Sequence, residues 1–327
     1  MFIHIGYPKA ASTTLQKQLF EKHPAILNLG VFPTGNIGND TINYSDSNIF
    51  INDKELQRLH YNISMLDDFQ YDQLNMKNLY NSIYQKYVQD LKPKRVTIIS
   101  NERFVSVNFS HNDIGAKAKR LSNLFPEARI IIVIRNQIDL LISQYRDHPF
   151  DPRCFSIGKS KNIDDWISIA LDNELKIIES LNYYKVIQLY EDLFPKNNVG
   201  VFLFEDLVYK TDVFASKLSS FMGISLEKTK DYLKLGKQNT GVSNRYNIYR
   251  KILREFPILF RIANILPSRF KDSVRSTVES TLKNGKKKNY KLSRVNVDRL
   301  QEYYGSCNKK LQKKLNLNLK IYKYPLI

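Results

Sequence analysis

The fold of this chain is decided by residues 2–19, which read FIHIGYPKAASTTLQKQL. The apolar run Phe2–Tyr7 predicts a buried strand, and a polar loop follows it through Thr14. Leu15 and Leu19 are then spaced as apolar positions on one face of an amphipathic helix. A strand, a loop and a helix in this order predict the first unit of a parallel α/β sheet.

Three further runs rich in β-branched residues predict strands: Arg95–Ser100 (RVTIIS), Arg129–Ile134 (RIIIVI) and Val199–Phe204 (VGVFLF). Helical patterns separate them, and strands that alternate with helices form sheets covered on both faces. We therefore expect an α/β fold with a mainly parallel central sheet flanked by helices, similar in layout to a P-loop protein.

The chain is predicted to form one domain over residues 1–327, with an insertion of loops and short helices at 40–90, where Asn, Asp and Tyr are frequent. Residues 207–327 form a mainly helical C-terminal part. Its clearest helical segments are Val213–Met222, Tyr246–Leu266 and Asn296–Leu315.

The composition is that of a folded, strongly basic protein. Hydrophobic residues make up 43% of the chain, which excludes a disordered protein. Fifty lysines and arginines against 32 aspartates and glutamates give a net charge of +18, which attracts polyanions, anionic nucleotides or anionic membrane surfaces. The charge alone does not choose among these partners, and a solvated basic surface accounts for it equally well.

The cysteines favour a reducing compartment. Cys154 and Cys307 lie far apart and lack metal-ligand spacing, so neither a disulfide framework nor a zinc site is predicted. Residues 1–7 are too short for a signal peptide, and there is no apolar run of about 18 residues for a membrane span. We expect a cytoplasmic protein with peripheral membrane contact as an option.

The loop after the first strand predicts an anion site. It carries one cation, Lys9, and the hydroxyls of Ser12, Thr13 and Thr14 at a helix N-terminus, where backbone N–H groups and the helix dipole favour phosphate or sulfate. Plain helix capping by the hydroxyls is the alternative. Aligned on Gly6, the loop lacks the lysine of a Walker A motif, which argues against ATP or GTP hydrolysis.

The segment Pro8–Gln16 resembles the 5′-phosphosulfate loop of sulfotransferases that use 3′-phosphoadenosine 5′-phosphosulfate (PAPS), whose usual form is PKxGTT. Ala11 stands where that family usually has glycine, and an alanine makes a left-handed backbone costly. The resemblance implies that Lys9 contacts the bridging oxygen and the sulfonate. It also implies that residues 10–14 (Ala10, Ala11, Ser12, Thr13 and Thr14) hold the 5′-phosphate, and that no metal is required.

A second segment, Arg135–Tyr145, resembles the family's 3′-phosphate motif RNPxDxxxSxY, with Gln137 in place of proline. The resemblance implies that Arg135 and Ser143 grip the 3′-phosphate of PAPS. Taken without the resemblance, Arg135 is a strand-end arginine paired with Asp139, and Ser143 is an ordinary helix residue.

Weaker similarities to bacterial carbohydrate sulfotransferases occur at 204–207, 308–311 and 322–325. They imply a glycan or glycolipid as the acceptor and no specific nucleic acid partner. The basic glycine-rich loop RKGxxGDWK of small-molecule sulfotransferases is absent from the sequence. Arg245 is a candidate for the group that closes over the nucleotide.

An acceptor hydroxyl loses its proton as it attacks, so a base is expected near Lys9. Glu102 follows the strand Arg95–Ser100 and is our candidate, since some carbohydrate sulfotransferases use a glutamate. A structural ion pair of Glu102 with Arg103 or with a lysine is the alternative. His111 is the second candidate for the base.

Two other function classes stay open on the sequence alone. A P-loop kinase or other NTPase shares the strand, loop and helix order, and ATP consumption would distinguish it. A non-enzymatic polyanion-binding protein fits the charge, and its affinity would fall steeply with salt.

Overall fold

The structure is a computed structural model that describes residues 1–31, 53–89, 95–106, 114–147, 162–234, 281 and 289–327. These residues form a central sheet with helices packed on it. The described strands are β1 (Phe2–His4), β2 (Ile26–Val31), β3 (Val96–Ser100), β4 (Arg129–Ile134) and β5 (Val199–Leu203).

All five described strands are parallel, in the order β2-β3-β1-β4-β5. The central strand β1 pairs with β3 on one side and β4 on the other, so that Ile3 lies beside Ile99 and Ile130. Every residue of the run 130–134 has no exposed surface. Strands buried on both faces are continuously apolar, which explains the sequence of β4.

The helix after β1, α1, begins as the α-helical turn Ser12–Thr14 and continues as the π-helical stretch Leu15–Phe20. The next helices along the chain are α2 (Lys54–Met65), α3 (Gln73–Tyr87), α4 (Ile114–Leu124) and α5 (Gln137–Asp147). Between β4 and β5 the chain also forms α6 (Ile163–Asp172), α7 (Lys176–Ser180) and α8 (Tyr183–Leu193). After β5 come α9 (Phe204–Tyr209), α10 (Thr211–Met222), α11 (Leu226–Lys234) and α12 (Arg294–Leu315).

Eight of the described helices form two groups by their contacts with one another. One group is α1, α10 and α11, in which α11 contacts both others. The second is α2, α3, α4, α8 and α12, in which α4 links the first two helices to α8. The described part of the predicted insertion therefore forms two helices that are integral to this second group, each started by an aspartate cap, Asp53 or Asp72.

The predicted fold class is confirmed, and the element boundaries need some correction. The first strand ends at His4 rather than Tyr7, because the chain turns at residues 7–10, where the Ala10 N–H bonds the Tyr7 carbonyl oxygen. Strand β5 ends at Leu203, since the next residue starts α9.

Strand β2 was not predicted. It contains Asn28 and Gly30, residues that are depleted in strands, and its pairing with β3 shifts register between Asn28 and Val31. The Asn28 side chain accepts a bond from the Gly30 N–H at 3.2 Å, and Gly30 has a φ of 107°. An irregular strand of this kind lacks the sequence pattern that identifies regular ones.

In the C-terminal part, the predicted helices at 213–222 and 296–315 are α10 and α12, each starting two residues earlier. The predicted helix at 246–266 lies outside the described residues. No helix in the described ranges is long and apolar enough to cross a membrane.

Candidate active site

The segments that the sequence analysis singled out lie at one edge of the sheet. The loop Gly6–Thr14 follows β1, Glu102 follows β3 and Arg135 follows β4. Since these three strands are adjacent and parallel, their carboxyl ends meet. Ligands of open α/β sheets bind in the crevice outside these strand ends.

The loop after β1 has a backbone suited to anions. Lys9 has a φ of 69° and Ala11 a φ of 67°, while Ala10 between them has a negative φ. The Ala10 N–H bonds the Tyr7 carbonyl oxygen, and the chain then enters the first turn of α1 at Ser12. The N-terminus of α1 adds the positive end of its dipole at the same place.

Ala11 adopts the left-handed backbone that an alanine disfavours. With φ 67° and ψ 15° it precedes the first turn of α1, where the related loops have glycine. A left-handed conformation costs a residue with a Cβ about 1–2 kcal/mol. Ala11 therefore holds this left-handed conformation with local backbone strain.

Gly6 is required by close approach. A Cβ at this position would lie 2.5 Å from the His4 ring and 2.5 Å from Ser12 Oγ. His4 Nδ1 is 2.7 Å from Ser100 Oγ, and Gln16 Nε2 donates to the same hydroxyl at 2.9 Å. This buried network forms the floor of the loop, so His4 has a structural role, and burial lowers its pKa to about 3.

Lys9, Ser12 and Glu102 come together at the mouth of the loop. The Ser12 hydroxyl donates to the Tyr7 carbonyl oxygen at 3.3 Å and lies near the Glu102 carboxylate. Burial raises the pKa of the Glu102 carboxyl, and the charge of Lys9 and the Ser12 hydroxyl oppose part of that rise. A carboxylate whose pKa is raised and that lies beside a cation is suited to accept a proton.

Glu102 is presented by a short 3-10 turn, Glu102–Phe104, held at both ends. At its start, the Asn101 side chain accepts the Arg103 N–H at 2.9 Å. At its end, the buried Lys117 donates to the carbonyl oxygens of Arg103 at 3.0 Å and Ser106 at 2.7 Å. These bonds fix the turn that carries the Glu102 carboxylate. The alternative of an ion pair with Arg103 is not found among the described residues.

Arg135 connects the two halves of the site. Its Nη1 donates to the Lys9 carbonyl oxygen at 2.8 Å, and its guanidinium carbon lies 4.5 Å from the centre of the Phe204 ring. Tyr183 donates to the Arg135 carbonyl oxygen at 2.6 Å. Burial lowers the pKa of the guanidinium, while the charges of Asp139 and Glu205 oppose that change.

The Nε atom of Arg135 is buried, and no hydrogen-bond partner is found for it in the described part of the chain. Buried donors are normally satisfied, and an exception at a strand end often indicates a ligand. Arg135 thus has donor capacity beyond its bond to the Lys9 carbonyl oxygen.

Ser143 lies on the face of α5 that carries Asp139 and Arg146, four residues before it and three after it. Both of those charges act on Arg135. Side chains at this spacing share a helix face. The partly exposed Ser143 therefore lies between Asp139 and Arg146, the two charged residues that act on Arg135.

Some contributors were missed by the sequence analysis. Lys117 has no exposed surface and is spaced with Ala118 and Leu121 on the buried face of α4. A lysine on the apolar face of a helix could have been recognised from the sequence as a buried residue with a specific role. Tyr183 gave no signal of its own, and Glu205 belongs to one of the weaker similarities. His111 and Arg245 lie outside the described residues.

Trp166 is a core residue, with no exposed surface and its ring 5.8 Å from that of Tyr145. Within the described ranges, no group of three or more His, Cys, Asp or Glu side chains is arranged to hold a metal ion.

A family model described as a sulfotransferase domain matches residues 2–311. No curated protein sequence matches the chain. A solved sulfotransferase from Alicyclobacillus acidocaldarius is similar with 19% identity and a TM-score of 0.43, over 69% of this chain and 81% of that one.

Two other solved structures show comparable similarity. The mouse sulfotransferase SULT7A1 complexed with PAP shares 12% identity over 75% of this chain and 68% of that one, with a TM-score of 0.38. The sulfotransferase domain of the Synechococcus PCC 7002 olefin synthase shares 15% identity over 73% and 81%, with a TM-score of 0.41.

Proposed function

This chain belongs to the sulfotransferase family, and from that premise we propose that it transfers the sulfonate group of PAPS to a hydroxyl of a carbohydrate or glycolipid. The observation that carries the proposal is the convergence of Lys9, Ser12 and Glu102 at the carboxyl edge of the sheet, joined to Arg135 through the Lys9 carbonyl oxygen. These groups supply the two cations and the base that the reaction needs.

The residues present fit a nucleotide with phosphates at both ends. At the 5′ side, the anion-binding loop is formed by Lys9 and the N–H groups of residues 11–14, since the Ala10 N–H is bonded to the Tyr7 carbonyl oxygen. At the 3′ side, Arg135 has a buried Nε donor with no partner among the described residues, and Ser143 adds a hydroxyl. Arginine suits a phosphate because its planar fork of donors makes several bonds at once.

When bound, PAPS supplies an electrophilic sulfur and a phosphate leaving group. Glu102 accepts the proton of the acceptor hydroxyl as its oxygen bonds to sulfur. The bridging S–O bond breaks, and its electron pair stays on the phosphate oxygen that departs. Lys9 stabilises the negative charge that grows on this oxygen, so its contribution is largest in the transition state.

The proposed acceptor is the least constrained part of the function. Its support is the resemblance at 204–207, 308–311 and 322–325 to carbohydrate sulfotransferases, together with the net charge of +18, which favours an anionic glycan or contact with an anionic membrane surface.

The test is a transfer assay with labelled PAPS and panels of glycans, glycolipids and small phenols. We expect label on sugar hydroxyls, and a loss of about 10²–10⁴-fold in Glu102→Gln, the range for general-base catalysis. Glu127→Gln is the matched control, because Glu127 is exposed and precedes β4 at the opposite edge of the sheet. Transfer to phenols alone would reject the carbohydrate acceptor. Near-normal transfer by Glu102→Gln would assign the base elsewhere, with His111 next.

A further inference from the structure

We propose that the segment Tyr322–Pro325 is a positioning element for the 3′-phosphate side of the site, because it fixes the turn from Arg135 to Gln137. The inference rests on the proposed function and deepens it. It assigns selectivity for a 3′-phosphate to a segment that lies beyond residue 311, the last residue that the family model matches.

The first tie runs through Asn136, which is 4% exposed. Its Nδ2 donates to the carbonyl oxygens of Tyr322 at 3.1 Å and Lys323 at 2.7 Å. Its Oδ1 accepts the N–H groups of Ile138 at 3.0 Å and Asp139 at 3.3 Å, which caps α5. One side chain thus joins the segment to the start of the helix that carries Ser143.

The second tie runs through Glu205, which is 6% exposed. One carboxylate oxygen accepts the Asn136 N–H at 2.8 Å, and the other accepts the Tyr324 hydroxyl at 2.9 Å. Both oxygens of a buried carboxylate are therefore committed, one to the turn and one to the segment. A buried carboxylate left with an unbonded oxygen is costly, so the two contacts depend on each other.

The third tie involves Gln137, the residue that replaces the proline of the related motif. Its side-chain amide makes a reciprocal pair with the Asn308 amide, with distances of 2.8 Å and 3.2 Å. Asn308 also donates to the Pro325 carbonyl oxygen at 2.9 Å. A proline at residue 137 would leave the buried Asn308 without this partner, so the glutamine makes a side-chain contact that a proline could not make.

Together these bonds fix the backbone or side chains of three consecutive residues, Arg135, Asn136 and Gln137. Tyr183 bonds the Arg135 carbonyl oxygen, Glu205 and the segment bond Asn136, and Asn308 bonds Gln137. The Arg135 side chain leaves the turn toward the Lys9 carbonyl oxygen. Since the guanidinium has five donors in a fixed plane, its fit to a phosphate depends on the direction in which the turn presents it.

The test compares affinities for adenosine 3′,5′-bisphosphate and adenosine monophosphate by calorimetry in the wild type and Asn136→Ser. Serine keeps an N-cap oxygen for α5 but removes both donations to the segment. We expect the affinity for the bisphosphate to fall about tenfold because the Arg135 guanidinium is less well oriented, and this factor corresponds to about 1.4 kcal/mol of binding free energy. The affinity for the monophosphate should change little.

Asn198→Ser is the matched control. Asn198 also donates its Nδ2 to two carbonyl oxygens, those of Glu127 and Ala128, but it does so before β5 at the opposite edge of the sheet. This variant should lose stability and keep the ratio of the two affinities. Tyr324→Phe, which retains the buried ring and removes its bond to Glu205, should lower the ratio in the same direction as Asn136→Ser.

The outcomes separate the inference from the proposed function. If the wild type does not prefer the bisphosphate, the proposed function fails and this inference fails with it. If the wild type prefers the bisphosphate and both Asn136→Ser and Tyr324→Phe keep that preference while folded by thermal melting, only the positioning role is overturned.

Discussion

The guanidinium of Arg135 donates a 2.8 Å hydrogen bond from Nη1 to the main-chain oxygen of Lys9, across 126 residues of sequence. The bond joins the loop after β1 to the loop after β4, on neighbouring strands. In the proposed function one loop holds the 5′ end of the nucleotide and the other holds the 3′ end. A direct contact therefore connects the two loops that the proposed function assigns to the two phosphates.

Arg135→Ala should remove the preference for adenosine 3′,5′-bisphosphate over adenosine monophosphate. We expect bisphosphate binding to weaken by about 1.5–3 kcal/mol, the cost of losing a charge-assisted bond. Calorimetric titration with both nucleotides measures this, with Arg294→Ala as the control because Arg294 is 94% exposed. An unchanged preference in Arg135→Ala would remove this residue from the 3′-phosphate site.

Lys9→Ala should lower kcat by about 10²–10³-fold, as the loss of one preorganised charge-stabilising donor does, with a much smaller change in nucleotide affinity. The reason is that the Lys9 charge acts most strongly on the oxygen that becomes anionic. Steady-state kinetics and equilibrium titration separate the two quantities. Lys196→Ala, an exposed lysine just before β5, is the control. A normal kcat with only a raised KM would contradict this role.

The pH dependence of kcat/KM should follow the ionisation of the Glu102 carboxyl. Burial raises the pKa of its carboxyl above 4.5, and a base must be ionised, so kcat/KM should fall as the pH drops through that raised value. Because the charge of Lys9 lowers this pKa, the acid limb should move to higher pH in Lys9→Ala. An acid limb at the same pH in both proteins would show that another group titrates.

The same shift predicts a stability effect. A carboxyl whose pKa is raised by folding binds more protons in the folded state than in the unfolded one. Stability is therefore lost as the pH rises from the unfolded pKa through the folded pKa. Glu102→Gln should remove this loss and raise the free energy of unfolding at neutral pH, as measured by denaturant titration. A destabilised Glu102→Gln at neutral pH and an unchanged one at acidic pH would contradict the sign.

Ala11→Gly should stabilise the protein by about 1 kcal/mol, because glycine adopts a left-handed backbone without strain. Ala10→Gly is the paired control, since Ala10 is buried and its φ is not positive. That substitution should destabilise. Denaturant unfolding of both variants decides the matter, and a loss of stability in Ala11→Gly would mean that the loop is not strained at this residue.

Much of the fold was predictable from local pattern. The strand Arg129–Ile134 was predicted to the residue, because a strand buried on both faces must be continuously apolar. The family was predictable from two short motifs in the right order, and the family model confirms it. Strand β2 and the support of the 3-10 turn by Lys117 were not predicted. The first is irregular, and the second depends on a lysine that is buried only because carbonyl oxygens surround it.

Four of the five described strands, the cations and hydroxyls at the strand ends and the family could be recognised from residues that lie close together in the chain. Three other features depend on the three-dimensional packing: Ser12 lies near Glu102, Ala11 takes a left-handed backbone, and Tyr324 and Asn136 both bond Glu205. The long-range contacts of Asn136 join it to residues 69 to 187 positions away, and no local pattern specifies which distant groups meet. Buried polar groups are hydrogen-bonded in folded proteins, and the packing of the sheet and helices decides which hydrogen-bond partner lies within reach of each group.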